Sequence, residues 1–319
     1  MQVHSGDGQA QKRGFRDILQ TLAVAPLKAT VWHVLLVFLN LNIAMLKRLI
    51  DAVRGPQATA PESDTEALAA DRLNQAIASI APMHLTMSWG DRLLTIDKTA
   101  GFLAEPAFKA AFDTVRGSHQ CDQYVGPHTI AWRLNTLCWA ARCALKAGGD
   151  FVECGVFKGD MAWVVLHTLG PETIPAFYLY DSFEGFSDRY SDASDYPLSE
   201  GFFDFANKHY RVDGMYEYVR DRYAHLANVR VIRGFLPEAL DQSCPERIGF
   251  LHVDLNSPRA AVAVLERLFD RVVPGGVIVF DDYGWKLFEK QKVAEDEFMR
   301  ARGYEILELP TGQGMVVKR

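Results

Sequence analysis

The sequence lacks a basic surplus: 34 Lys and Arg stand against 40 Asp and Glu, a formal net charge of -6. Binding along a phosphate backbone draws on an excess of cationic side chains, so nucleic acid is excluded as an expected partner. Cysteine is scarce, and Cys121, Cys138, Cys143, Cys154 and Cys244 include no CxxC pair. Disulfide scaffolds and structural zinc sites both need paired spacings, so reduced thiols and a cytoplasmic location are expected. Long apolar runs are missing too. The most apolar stretch, residues 31–50, is interrupted by His33, Asn40 and Asn42 and closed by Lys47 and Arg48. A membrane-spanning helix wants about 18 or more nearly uninterrupted apolar residues, and no small-residue cleavage site marks a secretory signal. The stretch reads as a helix packed on the body or on a second subunit, with a membrane-surface helix, and hence membrane association, as the alternative. Internal repeats and low-complexity tracts are also lacking.

What is present suits a large globular unit. Of 319 residues, 49% are hydrophobic and 23% charged, which excludes collagen-like and wholly disordered chains. The expected organisation is an apolar helical extension and linker over residues 1–66, followed by the main domain over 67–319 with a helical cap over 67–147. Residues 54–66 (RGPQATAPESDTE) form the linker because Pro, Gly, Ser and acids cannot build a core.

After residue 130 the chain alternates between strand and helix patterns. Helix is expected over 129–147 up to Gly148-Gly149, then strand 150–156, helix 160–169, strand 176–183, helix 215–226, strand 228–235 and strand 248–255. Ser257 and Pro258 read as N-cap and first turn of the next helix, which buries Ala261, Leu265, Leu268, Phe269 and Val272. Pro274-Gly275-Gly276 is expected to turn the chain into strand 277–280, and a helix runs on to Arg302. Repeated βαβ units give a parallel sheet with right-handed crossovers. The end differs: strands 304–309 and 315–318 are joined by five residues, which permits only an antiparallel hairpin.

Between the first strand and its helix lies Glu153-Cys154-Gly155-Val156-Phe157-Lys158-Gly159, an E-x-G-x-x-x-G loop. Its glycines let a ligand lie against bare backbone, but it is not the GxGxxG loop that seats a pyrophosphate. A nucleoside without phosphates fits better. Asp181 closes the second strand, where an acid can accept hydrogen bonds from both ribose hydroxyls.

FVECGVFKGD (151–160), YDSFEGF (180–186), VIRGFLPEAL (231–240), LHVDLN (251–256) and VIVFDDYG (277–284) resemble the successive motifs of the macrocin and mycinamicin sugar O-methyltransferases. The resemblance spans about residues 124–319, with Leu85-Thr86-Met87 as a weaker upstream match. It implies a Rossmann-like class I methyltransferase: a mostly parallel seven-stranded sheet with a C-terminal antiparallel hairpin, using S-adenosyl-L-methionine (SAM). By position, it implies that Glu153, Gly155 and Gly159 line the methionine part of SAM, Asp181 holds the ribose, Ser182 and Phe183 flank the adenosine, and Arg233 and Gly234 sit at the adenine side. It also implies that Asp254, Asp281 and Asp282 bind magnesium.

The three aspartates invite that reading on chemical grounds as well. They end two neighbouring strands at the carboxyl edge, and clustered carboxylates repel one another unless a hard cation, Mg²⁺ or Mn²⁺, sits among them. A helix-capping or loop-orienting role without metal remains the other reading. One position departs from the family: Asn256 stands where the sugar methyltransferases carry a general-base Asp. Asn cannot accept a proton at neutral pH, so Asn256 and the neighbouring His252 are both candidates for altered chemistry, with a core role for His252 and a turn role for Asn256 as the plain alternatives. The aromatic-rich insertion 187–214 is expected either to cover an acceptor or to pack on itself. The expected function is a SAM-dependent, Mg-assisted O-methyltransferase acting on a small hydroxylated acceptor, a sugar or natural-product intermediate. Another SAM-using enzyme, or an inactive SAM-fold assembly protein, is the alternative.

Overall fold

The computed structural model describes residues 87–116 and 129–319, with Arg72, Gln75, Ala76 and Ser79 before them. The chain divides into Met1–Met83 and His84–Arg319, and the fold below is that of the second unit. The apolar stretch 31–50 and the linker 54–66 lie outside the described residues. No helix among the described residues is long and apolar enough to cross a membrane.

A short hairpin comes first: β1 (Met87–Gly90) and β2 (Leu93–Ile96) pair antiparallel. Helices α1 (Pro106–Val115) and α2 (Ala131–Ala147) follow. The alternating region then gives β3 (Asp150–Cys154), α3 (Asp160–Leu169), β4 (Phe177–Asp181), α4 (Phe202–Tyr210), α5 (Met215–Tyr223), β5 (Val229–Arg233) and β6 (Ile248–Val253). It continues with α6 (Pro258–Leu268), β7 (Val272–Phe280), α7 (Glu289–Arg300), β8 (Leu307–Glu308) and β9 (Gly314–Val317). The seven strands from β3 onward form one sheet in the order β5-β4-β3-β6-β7-β9-β8. β3 to β7 are mutually parallel, and β9 runs antiparallel to both β7 and β8. The Rossmann-like sheet with its terminal hairpin is therefore as expected.

Period-two alternation divides the strands between two cores. Phe151, Phe177, Leu179, Phe250, Val277 and Val279 face α1, α2, α3 and α5. Val152, Tyr180, Leu251, Val253, Ile278 and Phe280 face α6 and α7. A sheet buried on both faces needs apolar residues at consecutive positions, which is why β6 is buried from end to end. Ser257 caps α6, its Oγ accepting from the Ala260 amide at 3.3 Å, with Pro258 at the first turn.

Two expectations are corrected. Pro274-Gly275-Gly276 does not turn the chain but lies inside β7 as a bulge: Ile248 pairs with Val272, whereas Phe250 pairs with Val277. The Gly275 amide donates to the Lys318 carbonyl, and the Lys318 amide to that of Gly276, so the C-terminal strand holds the bulge in the sheet. The expected strand 304–309 shrinks to Leu307–Glu308, because the Tyr304 amide turns back to the Met299 carbonyl at the end of α7.

Candidate active site

At the carboxyl edge, β3, β4 and β6 each end in residues with left-handed backbone: Gly155 (φ 88°) and Phe157 (φ 45°), Phe183 (φ 56°), and Asn256 (φ 54°). Such conformations cost about 1 kcal/mol or more outside glycine and persist where surrounding contacts over-determine them. At Gly155 the demand is steric as well, since an added Cβ would lie 1.7 Å from the Asp254 carbonyl oxygen. The β3 loop and the β6 end are thus in backbone contact, which places the expected cofactor loop beside the expected metal acids.

The cofactor end is organised by backbone hydrogen bonds. Asp181 Oδ2 accepts the Val156 and Phe157 amides at 2.7 and 2.8 Å, and Oδ1 accepts the Phe183 amide at 2.7 Å. Asp181 therefore shapes the loop, a role sequence reasoning missed when it gave this carboxylate only ribose hydroxyls. The Gly234 amide donates to the Asp181 carbonyl, joining the ends of β5 and β4. Ser182 Oγ donates to the Gly185 carbonyl and accepts the Glu184 amide. The Phe183 ring is buried, 5.5 Å from the Tyr216 ring. Arg233 pairs with Glu184 at 2.8 Å and lies over Tyr216, exposed at the rim. Gly159 is the left-handed N-cap of α3. Glu153 is 1% exposed, and its Oε1 has no hydrogen-bond partner among the described residues. With His252 Nδ1 3.6 Å away, the Glu153 carboxylate beside a bare glycine loop still has room to take the ammonium of an amino-acid-bearing nucleoside such as SAM.

The other end is ionic. Asp254, Asp281 and Asp282 follow the ends of β6 and β7, which are sheet neighbours. Arg133, from α2, joins them: its Nη1 donates to Asp281 Oδ2 at 2.6 Å and Asp282 Oδ1 at 3.2 Å, and its Nε to Asp91 Oδ2 at 2.7 Å. Asp281 Oδ1 also accepts from Gln313 Nε2 at 2.8 Å. Burial opposes the charge on Asp281, but Arg133 and His252 hold its carboxyl below the usual range. Burial, with Asp281 and Asp91 nearby, pushes Asp282 up to about 7 despite Arg133. Asp254, half-buried, is raised well above the ordinary value by burial and by Asp281 and Asp282.

His252 is 1% exposed, with Nδ1 3.6 Å from Glu153 Oε1 and Nε2 3.4 Å from Asp281 Oδ1. Burial works against its charge, but the two carboxylates win and lift the imidazole to about 10. His252 thus sits as a counter-charge between two buried carboxylates. Asn256 is buried in its left-handed turn, its Nδ2 3.4 Å from Asp254 Oδ1 and its carbonyl accepting the Tyr196 hydroxyl at 2.6 Å.

The donors suit a hard cation. One oxygen each of Asp254 and Asp281 and one imidazole nitrogen of His252 lie within 4.8 Å of one another, while Arg133 pairs with both Asp281 and Asp282. Among the described residues, the five carboxyls Asp91, Glu153, Asp254, Asp281 and Asp282 are answered by Arg133 and His252, with Arg92 near Asp91, and a divalent ion at Asp254 would balance the remaining excess. Sequence reasoning missed Arg133 and Asp91. The signal was a charged residue at 133 within the buried stripe Ile130, Leu134, Leu137 and Ala141 of α2.

Insertion 187–214 lies against this end. Ser257 Oγ donates to the Tyr190 carbonyl, Arg259 pairs with Asp192, and the rings of Phe186, Tyr196, Phe202, Phe203 and Phe288 stack or meet edge-on.

A parallel sheet with a glycine loop after its first strand, an acid at the end of its second and an antiparallel terminal hairpin defines a class I SAM-dependent methyltransferase. Residues 111–306 match the macrocin-O-methyltransferase (TylF) family model, and the chain belongs to that family. It is 29% identical over 205 residues to mycinamicin III 3''-O-methyltransferase of Micromonospora griseorubida, covering 58% of this chain and 74% of that protein. The calicheamicin methyltransferase CalS11 shares the fold, with a TM-score of 0.51 at 14% identity over 83% of this chain and 96% of that one.

Proposed function

We propose that this methyltransferase moves the SAM methyl group to a hydroxyl of a small metabolite, a sugar or natural-product intermediate, with help from a divalent cation. The observation that carries the reading is Asp254: a carboxylate in no ion pair among the described residues, in backbone contact with the cofactor loop and flanked by Asp281 and Asp282. An oxygen acceptor is also what the name of the mycinamicin relative states.

In the transfer, the acceptor oxygen forms a bond to the methyl carbon, the carbon–sulfur bond breaks, S-adenosylhomocysteine leaves, and the hydroxyl proton goes to a base. A cation held by Asp254, Asp281 and Asp282 would supply Lewis acidity that makes an acceptor hydroxyl easier to deprotonate. Asn256 cannot take the proton and His252 is paired with Glu153 and Asp281, so the proposed base is one of the carboxylates Asp254 and Asp282. Arg133 orients Asp281 and Asp282, and the ring cluster of 186–210 would shield that side from water. Incubating the protein with methyl-labelled SAM and a metabolite extract should label a hydroxylated small molecule and release S-adenosylhomocysteine. Label on nitrogen or carbon, or SAM cleavage without transfer, would overturn the oxygen acceptor, and full turnover in EDTA would overturn the cation.

A further inference from the structure

We propose that Arg222 and Tyr223, consecutive residues at the end of α5, are positioning residues for the cofactor that act through loop 155–160 without touching SAM. The proposal rests on the reading of that loop as the SAM site.

The loop is gripped from two sides. Inside the edge, Asp181 takes the amides of Val156 and Phe157. Outside it, the next two carbonyls are taken by α5: Arg222 Nη1 donates to the Lys158 carbonyl at 2.8 Å, and the Tyr223 hydroxyl donates to the Gly159 carbonyl. The same Arg222 nitrogen donates to Asp160 Oδ1 at 2.6 Å, at the first residue of α3, and the guanidinium lies 4.6 Å over the Trp163 ring. Four of the five peptide groups between residues 155 and 160 are thereby fixed in direction. Tyr223 also explains Gly159, because its ring occupies the space a side chain there would need, 2.9 Å from an added Cβ.

Such a grip exceeds what joining two helices needs. Tyr223 is 1% exposed, and the Arg222–Asp160 pair is largely shielded, with side chains 11% and 5% exposed. A shielded ion pair costs desolvation and adds little net stability, so its return lies in geometry. That geometry is where the loop backbone points, since with Gly155 and Phe157 in left-handed conformations the loop would relax if its carbonyls were released.

The test is calorimetric titration of S-adenosylhomocysteine into the wild type, Tyr223→Phe, Arg222→Met and Arg222→Lys, with hydrogen exchange read residue by residue. Wild-type binding checks the cofactor reading by itself, and its absence would end both readings. Tyr223→Phe and Arg222→Met should each raise Kd about tenfold, the scale of one lost hydrogen bond, and speed exchange at 156–160. Arg222→Lys should restore part of the affinity, since an ammonium can still reach one acceptor. A purely structural role would lower Tm and speed exchange across α5 while leaving Kd alone. Tyr223→Phe removes a single oxygen, so a wild-type Kd in that variant overturns the proposal even if Arg222→Met does not fold.

Discussion

Around the ends of β3 and β4, polar groups are answered by backbone: Asp181 holds three amides, and Gly234 ties the neighbouring strand end to it. Around the ends of β6 and β7 the answers come mainly from charged side chains, with Arg133 shared among Asp91, Asp281 and Asp282 and no ion pair to Asp254 among the described residues. The first half is finished before any ligand arrives. The second carries the clustered carboxylates on which the proposed cation would sit. A cofactor common to the whole family can be met by fixed backbone, whereas an acceptor edge that must strip a proton needs groups whose ionisation responds to what binds.

The contrast breaks most sharply at Arg133. Arg133→Met removes the counter-charge from three buried carboxylates and should cost about 3–5 kcal/mol in denaturant unfolding, because the orphaned acids stay buried. Asp181→Ala should cost about 2–4 kcal/mol shared between stability and SAM affinity, since three amides lose a charged acceptor. Calorimetry and unfolding on the same variant separate the two parts, and an effect on affinity alone would return Asp181 to a ribose contact only. Asn256→Asp places a carboxylate beside Asp254 and should lower stability by about 1–2 kcal/mol in EDTA, with Mg²⁺ recovering part of it. An equal loss with and without Mg²⁺ would mean that position 256 serves the turn alone.

A separate effect, read as a slope against pH, lies at Glu295 in α7. It is fully buried with Gln291 as its partner, and burial lifts its carboxyl from 4.5 to about 8. Between those values the folded protein keeps a proton that the unfolded chain releases, so stability falls as pH rises from about 4.5 through about 8, by at most about 1.4 kcal/mol per pH unit. Glu295→Gln should flatten that slope in Tm measured at pH 5, 7 and 9. An unchanged slope would place the titration elsewhere.

Much of this was legible in the sequence, and the two halves differ here as well. Strand ends, Gly155, Gly159, Asp181 and the aspartate triplet follow from local pattern, because each is set by a strand-to-loop junction. Ser257 and Pro258 marked the start of α6 for the same reason. Arg133 was not legible from its neighbours: its partners lie 42 positions back at Asp91 and 148 positions on at Asp281. The bulge at Pro274-Gly275-Gly276 read as a turn because its pairing comes from the last strand, at Lys318. The second use of Asp181 was hidden because backbone amides leave no sequence signature.

The central claim, a preformed cofactor half beside a charge-accepting half, is tested most directly by titrating Mn²⁺ and S-adenosylhomocysteine separately into the wild type and Asp254→Asn. The account predicts one Mn²⁺ bound by the wild type and none by the variant, with S-adenosylhomocysteine binding both alike in the presence or absence of metal. Binding of S-adenosylhomocysteine that requires Mn²⁺, or a wild type that takes up no divalent cation, would contradict it.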